Sequence, residues 1–147
     1  MVGSVTALVL LIACASAATT SAGRDTLTPG AYRNSANTIC ADERRQTMAF
    51  LARAKTLAQY LTSELSVVRS TVASLEKLQP PPTLASLHGK VVATVRGELS
   101  EFTTLAKQAK AGRLSLAQWQ QNPQLRQLDQ RELDLWKKIG AKTCSGA

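Results

Sequence analysis

Aromatic side chains are scarce in this chain, only 4% of 147 residues. Ala, Leu and Gln are plentiful instead. That mix favours helices over strands, because straight-chain residues lose little rotamer freedom in a helix. Histidine occurs once, as His88. No Glu-x-x-His pair exists, so the ligand pattern of a di-iron bundle is missing. This His and the two distant cysteines Cys40 and Cys144 also lack the close spacing of a metal site. There is no Gly-x-Ser-x-Gly turn to present a nucleophile and no glycine-rich phosphate loop. The ten acidic residues are scattered, and spacing alone assigns no acid and base pair. Charge is absent before Arg24, so the remainder carries the whole net charge of +8.

The charge-free start holds a short apolar run, Val5 to Ala13. It is too short to span a bilayer and sits where the core of a signal peptide belongs. Leu11-Ile12-Ala13-Cys14 fits the bacterial lipobox, in which Cys14 is acylated and becomes the first mature residue. Ala15-Ser16-Ala17 fits a small-x-small cleavage site, which would release a soluble protein after residue 17. Residues 1–13 are therefore expected to be a signal peptide. Residues 14–28, rich in Ala, Ser and Thr, read as a flexible tether, since they hold almost no large apolar side chain. The folded domain is expected over 29–147.

Either cut removes Cys14 from the thiol count. Cys40 and Cys144 remain, one near each end of the domain. In an exported chain an even pair predicts a disulfide.

The domain reads as helices separated by clear stops. Thr28-Pro29 offers an N-cap followed by proline at the first helical position. Tyr32, Ala36, Ile39, Glu43, Thr47 and Phe50 then share one face, apolar with polar interruptions. Asp42-Glu43-Arg44-Arg45 reads as a solvated turn with local ion pairs. A break is expected at Ala52 to Thr56, with Thr56 as the next cap. The second helix carries the stripe Leu57, Leu61, Leu65, Val68, Val72, Leu75 and Gln79, which is a bundle seam. Three successive prolines, Pro80 to Pro82, end it. The third helix starts near Pro82 or Thr83 and presents Leu84, Leu87, His88, Val91, Val95, Leu99, Phe102 and Leu105. The prolines thus predict an antiparallel hairpin. Gly89 and Gly97 weaken the third helix, and either could admit a close neighbour. Gly112 stops it. Ser115 caps a short helix with Leu116 and Trp119, and Asn122-Pro123 opens the last, which ends at Gly140. The expected fold is an all-α, antiparallel up-down four-helix bundle closed by one disulfide.

Tyr32…Ala36-Asn37…Ile39-Cys40, Leu78-Gln79-Pro80-Pro81, Leu87-His88, Gly112 and Ile139-Gly140…Cys144 resemble a group of small exported bacterial proteins of lipoprotein type, from high-GC Gram-positive and related bacteria. The resemblance implies export, a two-cysteine framework and a helical fold. It supplies no catalytic residue. This chain departs from that group between the first two helices, where a Pro- or Gly-containing turn is expected.

The functional expectation is an exported, lipid-anchored protein without catalysis or cofactor. It would bind an anionic envelope polymer or a protein partner through a basic surface, with Lys107, Lys110 and Arg113 as candidates. No motif for nucleic-acid recognition is present. One alternative is a carrier of haem or another apolar ligand in the bundle interior, near His88 and Tyr60. Another is a hydrolase. The expected location is the outer face of the cell membrane if Cys14 is acylated, and otherwise secreted or periplasmic.

Overall fold

A computed structural model describes residues 26–146. The expected signal peptide, Cys14, its cleavage alternatives and the tether up to residue 25 lie outside the described residues. Within them the chain is all-helical and has no strand. The helices are α1 (Pro29–Leu51), α2 (Leu57–Lys77), α3 (Ala85–Lys110), the one-turn α4 (Leu116–Gln120) and α5 (Pro123–Ile139). α2 packs along α3, α3 along α5, and α1 along α2.

The boundaries follow local chemistry. Thr28 Oγ1 accepts from the Ala31 amide at 3.2 Å, with Pro29 at the first helical position. The break between α1 and α2 falls at Ala52–Thr56 without proline or glycine. Thr56 Oγ1 caps α2 by accepting from the Gln59 amide, and Gln59 Oε1 accepts from the Lys55 amide. Ser115 and Gln118 form a reciprocal capping box on α4. Asn122 Oδ1 accepts from the Leu125 amide at 2.8 Å to start α5. α3 starts later than the sequence suggests. The Leu84 amide bonds the Pro81 carbonyl and the Ala85 amide the Pro82 carbonyl, so Pro82 and Thr83 are spent on a turn.

The segment expected to be free tether is docked at its last residues. The Leu27 amide donates to the Gln79 carbonyl at 2.9 Å, and the Leu27 side chain packs on the core. At the other terminus the chain after α5 runs back along α1. Arg33 Nε donates to the Ile139 carbonyl (2.7 Å), Asn37 Oδ1 accepts from the Thr143 amide (2.9 Å), Cys40 is bonded to Cys144, and Arg44 Nη2 donates to the Thr143 carbonyl (3.0 Å). Residues 33, 37, 40 and 44 are one stripe of α1, spaced by four, three and four. This stripe serves the C-terminal segment, so the disulfide completes a seam that hydrogen bonds already define.

Two apolar clusters form the core. The larger gathers Tyr32, Ala36, Val68, Val72, Leu75, Val91, Val95, Leu135, Trp136 and Ile139. The smaller gathers Leu61, Leu105, Ala106 and Leu125. Between them along α2, α3 and α5 come Glu64, Glu98 and Glu132. Gly97 allows α5 to approach α3 closely, since a Cβ there would lie 3.1 Å from Leu128 Cδ2.

Candidate functional site

Two polar features stand out from this frame: a basic, partly apolar end and an acidic cleft.

The basic end is formed by the C-terminal turns of α1, the α1–α2 loop, the first turn of α2, the C-terminal end of α3, and α4. Segments 48–63 and 102–128 contain no Asp or Glu but carry Arg53, Lys55, Lys107, Lys110, Arg113 and Arg126, all exposed. Lys107, Lys110 and Arg113 lie on the last turn of α3 and just past it, where cations favour the helix dipole. Among the described residues none of these six is in an ion pair. Gly112 at φ +67° turns the chain back over this end. Three large apolar side chains are also exposed here: Met48 at 60%, Leu51 at 50% and Leu116 at 54%. Leu51, Leu57, Tyr60, Leu116 and Trp119 line a shallow groove of about 270 Å³ with Lys55 on its edge. Lys110 borders a neighbouring depression with Ala58 and Thr62, and Arg53 another with Phe50 and Ser63. Arg53, Lys55 and Lys110 thus border adjoining depressions, one of them lined by Leu51, Leu116 and Trp119.

The acidic cleft lies between α1 and α5. It is an open space of about 380 Å³ lined by Glu43, Arg44 and Thr47 of α1, Glu64 of α2, Asp129, Glu132 and Leu133 of α5, and the Cys40–Cys144 bridge. The returning C-terminal segment borders it through Thr143 and Cys144. Glu64 and Glu98 are almost inaccessible, 6% and 5% exposed. Thr47 Oγ1 donates to Glu64 Oε1 at 3.0 Å, and Trp136 Nε1 donates to Glu132 Oε1 at 2.7 Å. Glu64 Oε2 and Glu98 Oε1 are buried with no hydrogen-bond partner.

Burial raises the pKa of each of these carboxyl groups. Glu43 is pushed up to about 7, first by burial and then by the charges of Glu132 and Glu64. Burial raises Glu64, against the stabilising bond from Thr47. Glu98 is raised strongly by burial, then by Glu132 and Asp129, and its carboxyl group hydrogen-bonds that of Glu132. Such a pair holds a proton at neutral pH, since two buried like charges cannot both ionise. Among the described residues no three of these groups converge closely enough to hold a metal ion.

The other residues singled out in the sequence are placed as follows. Cys40 and Cys144 are bonded. Cys14 lies outside the described residues. His88 and Tyr60 are not brought together. His88 Nδ1 is 2.9 Å from the Tyr32 hydroxyl beside the larger cluster, while Tyr60 stacks edge-on against Trp119 at the basic end. They sit on opposite arms of the α2–α3 pair, one turn into α2 and one turn into α3, so the proline turn holds them far apart. Burial lowers the pKa of His88. Glu43 follows the inner face it shares with Tyr32, Ala36 and Ile39 and not the solvated turn. Asp42 and Arg45 make the surface ion pair (2.7 Å), and Glu43 turns inward.

The carboxylate cluster was not legible as such. Its signal was one acid at a seam position in each long helix: Glu43, Glu64, Glu98 and Glu132. Glu64 and Glu98 also stand equally far from Pro81 along the two arms, which sets them at one height.

No helix among the described residues is long and apolar enough to cross a membrane. No family model, curated protein or solved structure matches this chain.

Proposed function

We propose that this chain is an exported helical bundle without catalytic activity that docks its basic end on an anionic, phosphate-bearing envelope surface. One observation carries the reading. The end with no carboxylate in segments 48–63 and 102–128 is also the end where Met48, Leu51 and Leu116 are exposed. Cations attract a phosphate surface over roughly a Debye length, about 8–10 Å at physiological salt. Apolar side chains beside them add binding that salt does not screen. The architecture that supports it is the antiparallel up-down arrangement, with the α1–α2 loop, the end of α3 and α4 gathered at one pole. Acylation of Cys14 would keep the domain at the outer face of the membrane, and simple cleavage would secrete it. The carrier alternative loses support because His88 and Tyr60 stand in different clusters.

The test is co-sedimentation of the mature domain with phosphatidylglycerol vesicles, phosphatidylcholine vesicles and an immobilised polyphosphate polymer. Retention on the anionic supports is expected, weakening between 50 and 500 mM salt (about a threefold change in Debye length). Replacing Lys107, Lys110 and Arg113 by Gln should reduce it several-fold. Equal retention on phosphatidylcholine, or no effect of those replacements, would overturn the reading.

A further inference from the structure

The molecule has excess positive charge, +8 overall, yet places no cation against its most buried acids. Among the described residues the ion pairs are Asp42–Arg45, Glu76–Arg96 and Asp134–Lys137. None involves Glu43, Glu64, Glu98, Asp129 or Glu132. Arg44 lines the cleft, but its Nη2 is directed to the Thr143 carbonyl at 3.0 Å. Glu64 is therefore a buried carboxyl in the wall of the cleft, with one oxygen held by Thr47 and the other enclosed and unpartnered. Such a group is costly in a fold unless something outside the chain supplies the partner.

We infer that the cleft between α1 and α5 is a binding site for a primary alkylammonium group, held by the carboxyl groups of Glu64, Glu43, Glu132 and Asp129 that line it. The shape and lining distinguish this ligand from a bare cation. A space of about 380 Å³ is in the range of small-molecule sites and much larger than an ion needs. Among the described residues no three acids are close enough for metal coordination. An ammonium has three donors and accepts wider spacing, directly or through water. Leu133 and the Cys40–Cys144 bridge give the cleft an apolar wall for a short alkyl chain.

Burial raises the pKa of the lining carboxyl groups, so a bound cation draws them toward the ionised form. The groups facing it from each helix are Glu43 and Arg44 of α1, Glu64 of α2, Glu98 behind it on α3, and Asp129 and Glu132 of α5. Binding should release protons, and affinity should rise as pH rises through the region of Glu43, about 7. This is a separate site from the basic end, and either proposal can fail without the other.

The experiment is isothermal titration of the disulfide-intact mature protein with 1,4-diaminobutane at pH 6 and pH 8. Parallel arms use the amide of N-acetyl-lysine, 1-butanol, and Ca²⁺ and Zn²⁺ alone. Saturable binding of the diamine, tighter at pH 8 and absent with 1-butanol, is expected. Stronger binding of the lysine derivative would assign the site to a protein partner's side chain rather than a free amine. Glu64→Gln should weaken binding by about tenfold or more, as expected for a lost charged hydrogen bond. Asp129→Asn, at the exposed rim, should weaken it less and serves if Glu64→Gln fails to fold. No diamine binding at millimolar concentration to folded protein would overturn the inference. So would unchanged affinity in both variants, or tight metal binding that the diamine does not displace.

Discussion

Glu43, Glu64, Glu98 and Glu132 set the pH response of this fold. Each holds its proton more tightly folded than unfolded, because burial disfavours the charge. Their stabilising contribution is complete below about pH 4.5 and is lost as pH rises through the folded pKa. Glu43 alone, moved from 4.5 to about 7, gives a loss on the order of 2–3 kcal/mol by pH 8. His88 acts oppositely, since its lowered pKa removes stability as pH falls below about 6.5. One such group is outweighed by several carboxyls. Thermal melts should therefore show the midpoint falling from pH 5 to pH 8, and Glu43→Gln should flatten that slope. A midpoint that climbs over the same range would contradict the protonated cluster. Gly140 is a second residue with a defined cost. Its φ of +80° is left-handed, and a Cβ would meet Arg33 Nε at 3.3 Å, the atom that donates to Ile139. Gly140→Ala should cost about 1–2 kcal/mol and lower the melting midpoint by several degrees.

At the scale of elements, caps and stops were legible and the buried faces were less so. Thr28-Pro29, Thr56, Ser115, Asn122-Pro123, Gly112 and Gly140 each satisfy orphan backbone groups locally, so neighbouring residues suffice to read them. The seam of α2 depends on where its neighbours lie. Leu61, Val68, Val72 and Leu75 of the expected stripe are buried, yet Leu57 and Leu65 are only half-buried, while Glu64, Val67 and Thr71 are buried beside them. Rotating the face by one residue exchanges Leu65 for Glu64, and on α3 Leu99 for Glu98. A glutamate reads as a surface residue until three other helices are known to bring their own to the same height. The cysteine pairing was legible because exclusion of Cys14 left two. The stripe on α1 that receives the tail was not, because Arg33, Asn37 and Arg44 are ordinary surface residue types. The Cys40–Cys144 bond spans 104 residues. By chain entropy its reduction should cost about 4–5 kcal/mol, with the carboxylate cleft widening as the tail leaves α1. Melts with and without reductant measure this. A shift below one degree would mean that the hydrogen bonds of Arg33, Asn37 and Arg44 hold the seam alone.

At the scale of the whole molecule, one end stands out because segments 48–63 and 102–128 hold cations and no carboxylate. Six exposed cations and three exposed apolar side chains occupy one end, and a band of buried acids divides the core further along. The excess of cations was readable from composition. Their grouping with Met48, Leu51 and Leu116 was not, because it joins a loop, a helix end and a one-turn helix distant in sequence. Trp119 reports on this surface directly. It is half-buried in the groove with Leu51 and Leu116, whereas Trp136 is enclosed in the core. The most direct measurement is therefore Trp119 emission during titration with phosphatidylglycerol vesicles at about 0.1 M salt, where exposed charges are screened beyond about 10 Å. A blue shift, quenching by brominated acyl chains, and loss of both when Leu51 and Leu116 are changed to Ser are expected. Unchanged emission with vesicles that leave the protein folded would contradict docking by this end.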